Sequence, residues 1–229
     1  IAIRLDENDN LISVKVCKDE DHVLLASKAG KAIRFPVDSL RVFKSRTSDG
    51  VRGMKIAAND VVISMTILKG ISSSMEERDA YLSIPLEKRL EIANGGDFNI
   101  EEFTNLLTKE QILAMAKSEE FILTIAENGF GKRSSAYEYR ITNRGGSGVV
   151  NINVSTKTGL VVGVMPVAMS DELMLITNNG KLIRCKLESV RITGRNTSGV
   201  ILFKTEKDEK VVSASLIVDN SEDEITEEV

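Results

Sequence analysis

A mainly β chain, built as a propeller-like repeat of four-stranded blades and interrupted by a helical insertion, is the fold class this sequence predicts. Three observations carry the expectation. One motif recurs three times in the same register. Each copy consists of short Val, Ile and Leu runs separated by turn-forming residues. The stretch between the first two copies has another character, acidic and marked with helix-start signals.

The first copy runs Val23-Leu24-Leu25-Ala26-Ser27, Ala29-Gly30-Lys31, Ile33-Arg34-Phe35, Arg41, Arg46-Thr47-Ser48-Asp49-Gly50-Val51 and Asp60-Val61-Val62. The second has Ile122-Leu123-Thr124, Asn128-Gly129, Arg133, Arg140, Arg144-Gly145-Gly146-Ser147-Gly148-Val149 and Leu160-Val161-Val162. The third has Met174-Leu175-Ile176, Asn179-Gly180-Lys181, Arg184, Arg191, Arg195-Asn196-Thr197-Ser198-Gly199-Val200 and Lys210-Val211-Val212. An arginine stands four residues after the first glycine in every copy (Arg34, Arg133, Arg184), and another four before the second (Arg46, Arg144, Arg195). The opening Ile1-Ala2-Ile3-Arg4-Leu5-Asp6 matches Ile201-Leu202-Phe203-Lys204-Thr205-Glu206, so the chain is expected to begin inside a fourth copy. That register and the lack of an initiator Met predict a piece of a longer protein.

Gly129 to Gly180 spans 51 residues, a propeller-blade period, whereas Gly30 to Gly129 spans 99. The excess is one repeat's length, which sets the expected divisions: 1–17 the end of a preceding blade, 18–68 a blade, 69–119 the insertion, 120–168 and 169–218 two further blades, and 219–229 an acidic tail. Asn128-Gly129 and Asn179-Gly180 between apolar runs predict type I′ hairpins, because Asn and Gly accept positive φ. In the insertion, Ser74-Met75-Glu76-Glu77, Asn99-Ile100-Glu101-Glu102 and Thr108-Lys109-Glu110-Gln111 each set a capping side chain three residues ahead of an acid or amide. Three or four short helices follow, with Asn94-Gly95-Gly96 as a stop and Leu86, Leu90, Phe103, Leu106, Leu107, Ile112 and Leu113 as apolar faces. Such an element is either a partner-docking surface or a decoration packed on a blade edge; the tolerance of loops for insertions favours the decoration.

The 229 residues, 42% hydrophobic and 28% charged, suffice for a real core and exclude a disordered polymer. No apolar run of membrane-spanning length and no signal-peptide pattern occurs, so a soluble cytoplasmic chain is expected, with no membrane partner. Two cysteines far apart, Cys17 and Cys185, predict free thiols. The formal net charge of −4 is unevenly placed. The last eleven residues carry six acids and no base, residues 69–119 contribute −4, and everything else carries +6.

No catalytic constellation is found. His22, the single histidine, follows Cys17-Lys18-Asp19-Glu20-Asp21 but lacks a second thiol or imidazole, so no metal site is expected. Gly129-Phe130-Gly131-Lys132-Arg133-Ser134 resembles a phosphate loop, yet Ala126 stands in place of its first Gly and Arg133 in place of Ser or Thr. Tyr137 and Tyr139 lie inside a repeat without a general base at recognisable spacing and are expected to pack the blade. What remains is the recurring set of cations. Lys31, Arg34, Arg41, Lys44, Arg46 and Arg52 are echoed by Lys132, Arg133, Arg140 and Arg144, and by Lys181, Arg184, Lys186, Arg191 and Arg195. Blades related by rotation would range these fifteen residues along a curved basic rim, able to hold and bend duplex DNA through its phosphates. Aromatics at 4% and the lack of a recognition helix in the repeat imply little base reading.

Several segments also resemble a known family. Gly30-Lys31-Ala32-Ile33-Arg34-Phe35, Thr47-Ser48-Asp49-Gly50-Val51-Arg52-Gly53, Glu127-Asn128-Gly129-Phe130-Gly131-Lys132-Arg133, Gly159-Leu160-Val161-Val162-Gly163 and Gly194-Arg195-Asn196-Thr197-Ser198-Gly199-Val200-Ile201-Leu202 are similar to the C-terminal domain of the DNA gyrase A subunit. The resemblance covers nearly the whole chain except the insertion. It implies a β-pinwheel, usually of six blades, with about the last three here. It further implies that the domain wraps DNA around its rim for a holoenzyme containing B subunits and a second A subunit, which uses ATP and Mg to introduce negative supercoils. The family's catalytic tyrosine belongs to another domain, so this piece alone would be inert. Its signature Gln-Arg-Arg-Gly-Gly-Lys-Gly box has no full counterpart: Arg144-Gly145-Gly146-Ser147-Gly148 is similar in part, with Ser147 in place of Lys and Asn143 before the arginine. The acidic tail resembles those that compete with phosphates for the rim. The alternatives are a propeller that binds proteins through the acidic insertion and the related domain of topoisomerase IV's A-type subunit.

Overall fold

The computed structural model describes residues 4–7, 9–44, 48–99 and 103–217. Among these residues eleven strands form three antiparallel sheets, here called blades. The strands are β1 (His22–Ser27), β2 (Lys31–Pro36), β3 (Val62–Leu68), β4 (Phe121–Ala126), β5 (Phe130–Ser135), β6 (Val149–Val150), β7 (Val161–Val167), β8 (Glu172–Thr177), β9 (Leu182–Lys186), β10 (Val200–Ile201) and β11 (Val211–Ile217). The sheet orders are β3-β1-β2-β6, β10-β5-β4-β7 and β11-β8-β9. Strands β3, β7 and β11 pack together at the inner side, which leaves β2 with β6, and β5 with β10, at the outer edge. The short outer strand is exchanged: β6, from the second repeat, completes the first blade, and β10, from the third, completes the second.

Period-two alternation builds much of the core between blades, while the opposite face of the first blade packs Val23, Ile33 and Phe35 onto its own Val37 and Met54. Leu24 and Ala26 of β1 meet Ile122, Phe130 and Val164 of the second blade, whereas Leu123 and Ile125 of β4 turn the other way, onto Leu173, Leu175 and Val211 of the third. Removing each of the larger of these side chains from water is worth about 1.5–3 kcal/mol, and neither blade could obtain it alone.

The expected type I′ hairpins are not formed. Gly30, Gly129 and Gly180 have φ of 83°, 75° and 79°, but Asp208 is the only positive-φ residue other than glycine among those described, so Asn128 and Asn179 keep negative φ. The glycine amide instead closes a four-residue turn, donating to Ser27 O, Ala126 O and Thr177 O at 3.0, 3.1 and 3.0 Å. This three-residue loop ends on a left-handed glycine, the usual alternative to the two-residue turn. Asn128 serves elsewhere, its Nδ2 donating to Thr156 O and Lys157 O, and in the third-blade loop it is Asn178, not Asn179, whose Nδ2 donates, to Asp208 O.

The insertion folds into helices α1 (Met75–Ser83), α2 (Leu86–Ala93) and α3 (Lys109–Ser118). Two of its helix-start signals close as full capping boxes, Ser74 with Glu77 and Thr108 with Gln111. Asn94 and Gly95 end α2. The third signal, at 99–102, falls largely outside the described residues, as do Arg46 and the acidic tail. In the opening segment no strand is found among described residues before His22.

Candidate nucleic-acid interface

The fourteen of these cations that lie among the described residues separate into distinct environments. Lys31, Arg41, Lys44, Arg52, Arg140, Arg144, Lys181, Arg184, Lys186 and Arg191 are exposed. Strand exchange explains how those of different repeats meet. The segment leading into β6 crosses onto the first blade, where Gly145 N donates to Gly53 O at 2.6 Å, Lys55 N to Gly146 O at 2.9 Å and Arg144 Nη1 to Arg52 O at 3.3 Å. Arg52, Lys55 and Arg144 thus share one stretch of outer surface. A left-handed glycine makes the crossing possible: at Gly148 (φ 70°) a Cβ would stand 2.3 Å from Ala32 O, and at Gly199 (φ 74°) 2.5 Å from Gly131 O.

Arg34, Lys132 and Arg133 depart from the expected rim. They are 1%, 0% and 3% exposed, and their donors are taken up by the protein. Arg34 Nη1 donates to Ala136 O of the second blade at 2.8 Å, Nη2 to Lys69 O at 2.8 Å and Nε to His22 Nδ1 at 3.1 Å. Arg133 Nε donates to Val190 O of the third blade at 2.8 Å, while Nη1 contacts the Met169 sulfur. The backbone answers in kind: Thr142 N donates to Arg34 O and Thr193 N to Arg133 O. These arginines fasten one blade to the next. Lys132 Nζ donates to Gly194 O at 2.8 Å, to Thr197 Oγ1 at 3.3 Å and to Arg195 O, holding the segment that leads into β10. Three acceptors match the three protons of an ammonium. Arg195 is half-buried and donates to Glu138 O and Val150 O. The third-blade counterpart Arg184 is exposed and paired with Glu172, so the shared register conceals two kinds of environment.

Burial tunes these groups. Desolvation, before any charge, lowers Arg34 to about 10 and Lys132 to about 8. His22 falls to about 4, through desolvation and then the Arg34 and Arg78 guanidiniums, so it stays neutral and accepts from Arg34. Cations that the motif register did not single out also reach the surface. Lys157 lies over the Phe130 ring at 5.4 Å, and Lys28 and Lys210 reach Glu127 from the flanking blades at 3.9 and 3.2 Å. They sit outside the repeated Gly and Arg positions, and only the folded arrangement brings them together.

Among the described residues no group of three or more His, Cys, Asp or Glu could hold a metal ion. None of the helices described is long and apolar enough to cross a membrane. Tyr137 and Tyr139 are buried, and Cys17 and Cys185 are free.

Interlocked antiparallel sheets completed by exchanged strands define a propeller-type module. The chain belongs to the family described as DNA gyrase C-terminal domain, beta-propeller, which matches residues 1–18, 21–69, 120–168 and 171–217. It is 74% identical over 224 residues to the DNA gyrase A subunit of Rickettsia felis, an alignment covering 98% of this chain and 25% of that protein. The chain therefore spans about a quarter of the length of such relatives. Among solved structures it is similar to a DNA gyrase A C-terminal domain (TM-score 0.61, 22% identity, 89% of this chain and 52% of the other). It is also similar to the C-terminal domain of DNA topoisomerase IV (TM-score 0.67, 17% identity, 94% and 52%). At these identities the two structures speak for the fold.

Proposed function

We propose that this chain binds duplex DNA without sequence preference along its outer edge and bends it, as the DNA-wrapping part of a gyrase A subunit. One observation supports the reading above the rest: exchanged strands set exposed cations of adjacent repeats side by side, as Arg144 lies beside Arg52 and Lys55. Phosphates spaced about 1.7 Å apart along the duplex axis would bind such a row through counterion release, and a curved row favours bent DNA. Lys31, Arg41, Lys44, Arg140, Lys181, Arg184, Lys186 and Arg191 extend the surface. Arg34, Lys132 and Arg133 serve it indirectly, by holding the blades. In the whole protein, the reading places the domain in a cytoplasmic type II topoisomerase with B subunits and a second A subunit. There ATP and Mg would drive strand passage elsewhere.

The test is a salt titration of binding to a random-sequence duplex of about 40 base pairs. Arg140→Ala and Arg144→Ala should each flatten the log-log slope by about 0.9, one phosphate contact apiece. Arg133→Ala should leave the slope as it is. Absence of binding at low salt removes the proposal. A slope that responds to Arg133 and ignores Arg144 moves the interface off the outer edge.

A further inference from the structure

The helical insertion meets the blades at one place, the seam between the first and second. Its two ends close on each other there: Lys69 N donates to Glu120 Oε2 at 2.9 Å, and Glu120 O accepts from Ala136 N at 2.8 Å. Lys69 O is also an acceptor for Arg34, the residue that spans the seam. From α1, the buried Arg78 sends Nη1 to Tyr139 O of the second blade at 3.4 Å and Nε to Ser74 O at 3.2 Å. Tyr81 packs edge-on against Tyr137 of the second blade, centroids 5.4 Å apart at 84°. Tyr137 Oη donates to Met115 O of α3 at 3.0 Å.

Inside, the insertion has its own core of Tyr81, Ile84, Ile92, Ile112 and Met115, which takes in Tyr137. It also has a buried ion pair of Arg89 with Glu119, whose other oxygen accepts from Tyr81 Oη at 2.8 Å. A unit with its own core is stiff, and one fixed to both partners of a joint removes the freedom of that joint. The seam between the second and third blades has no such body among the described residues.

We propose that the insertion is a splint. It fixes the angle between the first and second blades, with Arg34 and Arg78 as positioning residues, while the next seam keeps more freedom. Its consequence for DNA rests on the wrapping reading above: the duplex would meet a preset bend over the first seam and an adjustable one over the second. Preorganising the first seam lowers the cost of ordering the complex.

Two amides report the seams separately, Thr142 N bound to Arg34 O and Thr193 N bound to Arg133 O. In the 229-residue chain, Arg78→Ala should speed hydrogen exchange at Thr142 by tenfold or more and leave Thr193 within twofold, and Arg78→Lys should recover part of the protection. Tyr137→Phe, which removes only the hydroxyl tie to α3, should speed Thr142 by about threefold; it decides the matter by the same criterion if Arg78→Ala does not fold. An unchanged Thr142, or equal acceleration at both amides, overturns the splint. The DNA consequence is read with a 40 base-pair duplex dye-labelled at both ends. Arg78→Ala should lower energy transfer in the complex and weaken affinity, and unchanged transfer overturns that part. If the unaltered chain binds no duplex, the wrapping reading falls while the exchange result still judges the splint.

Discussion

The two seams of this molecule are built on one plan and finished differently. At each, a strand arginine crosses to a carbonyl of the next blade and its own carbonyl takes back an amide, Arg34 with Ala136 and Thr142, Arg133 with Val190 and Thr193. The second acceptor differs. Arg34 finds the carbonyl of Lys69, delivered by the insertion, where Arg133 finds only the thioether of Met169, a weak acceptor. The outer strand crossings differ as well: Ile33 of the first blade lies against Gly146, whereas Lys132, at the equivalent position, bonds the Gly194–Thr197 segment. Repetition therefore fixes the geometry of the joint, and the residues at a few positions set how tightly it is held.

Arginine removal tests this asymmetry most severely. Arg34→Ala leaves the buried carbonyl of Ala136 and the part-buried one of Lys69 without a charged donor and should cost about 4 kcal/mol, against about 2 kcal/mol for Arg133→Ala, measured as shifts of urea midpoint at constant slope. Equal losses would mean that the insertion adds nothing at the first seam. Lys132→Met should cost about 2 kcal/mol by the same measurement, since carbonyls of the outer crossing lose their partner. A neutral outcome would reduce Lys132 to the role Ile33 plays.

Mild acid should act on the first seam through His22. His22 has a folded pKa of about 4 against an ordinary 6.5, so between those values the unfolded chain binds more protons. Its contribution is full above about pH 6.5 and is lost as pH falls towards 4, where an imidazolium can no longer accept from Arg34. The expected effect is smaller than that of either arginine. His22→Asn should flatten the dependence of unfolding on pH in that window, and a profile unchanged by the substitution would place the acid response elsewhere.

Much of this architecture was legible from residue spacing. The repeats announced a succession of antiparallel sheets but not the exchange of β6 and β10 between them, and Ser74 with Glu77 and Thr108 with Gln111 announced α1 and α3. The environment of the cations was not legible from register alone, because Arg34, Arg133 and Arg184 share a sequence position while, among the described residues, only the first two have a following blade to enter. Parity held a clue. Arg34 lies on the same strand face as Ala32, which is wholly buried in the core between the first two blades, and Arg133 on the same face as Gly131, which touches Leu202 from the third repeat. A small residue two positions before a cation marked a face pressed against its neighbour. The turn at Asn128-Gly129 escaped because two loop lengths accept the same dipeptide, and only the pairing of Ile125 with Gly131 decides between them.

Strand exchange has a consequence for the order in which this chain acquires structure. The first blade opens at His22 but is completed only by Val149 and Val150, so Lys31 waits for a partner 119 residues later, while Gly131 waits 69 for Val200. At equilibrium the longer wait costs little, about 0.5 kcal/mol of loop entropy. During synthesis it matters more, because at roughly 5–20 residues per second the outer edge of β2 stays unpaired for several seconds longer than that of β5. An insertion that folds locally on its own core shortens the effective span of that wait, gathering Lys69 and Glu120 before the closing strand has emerged.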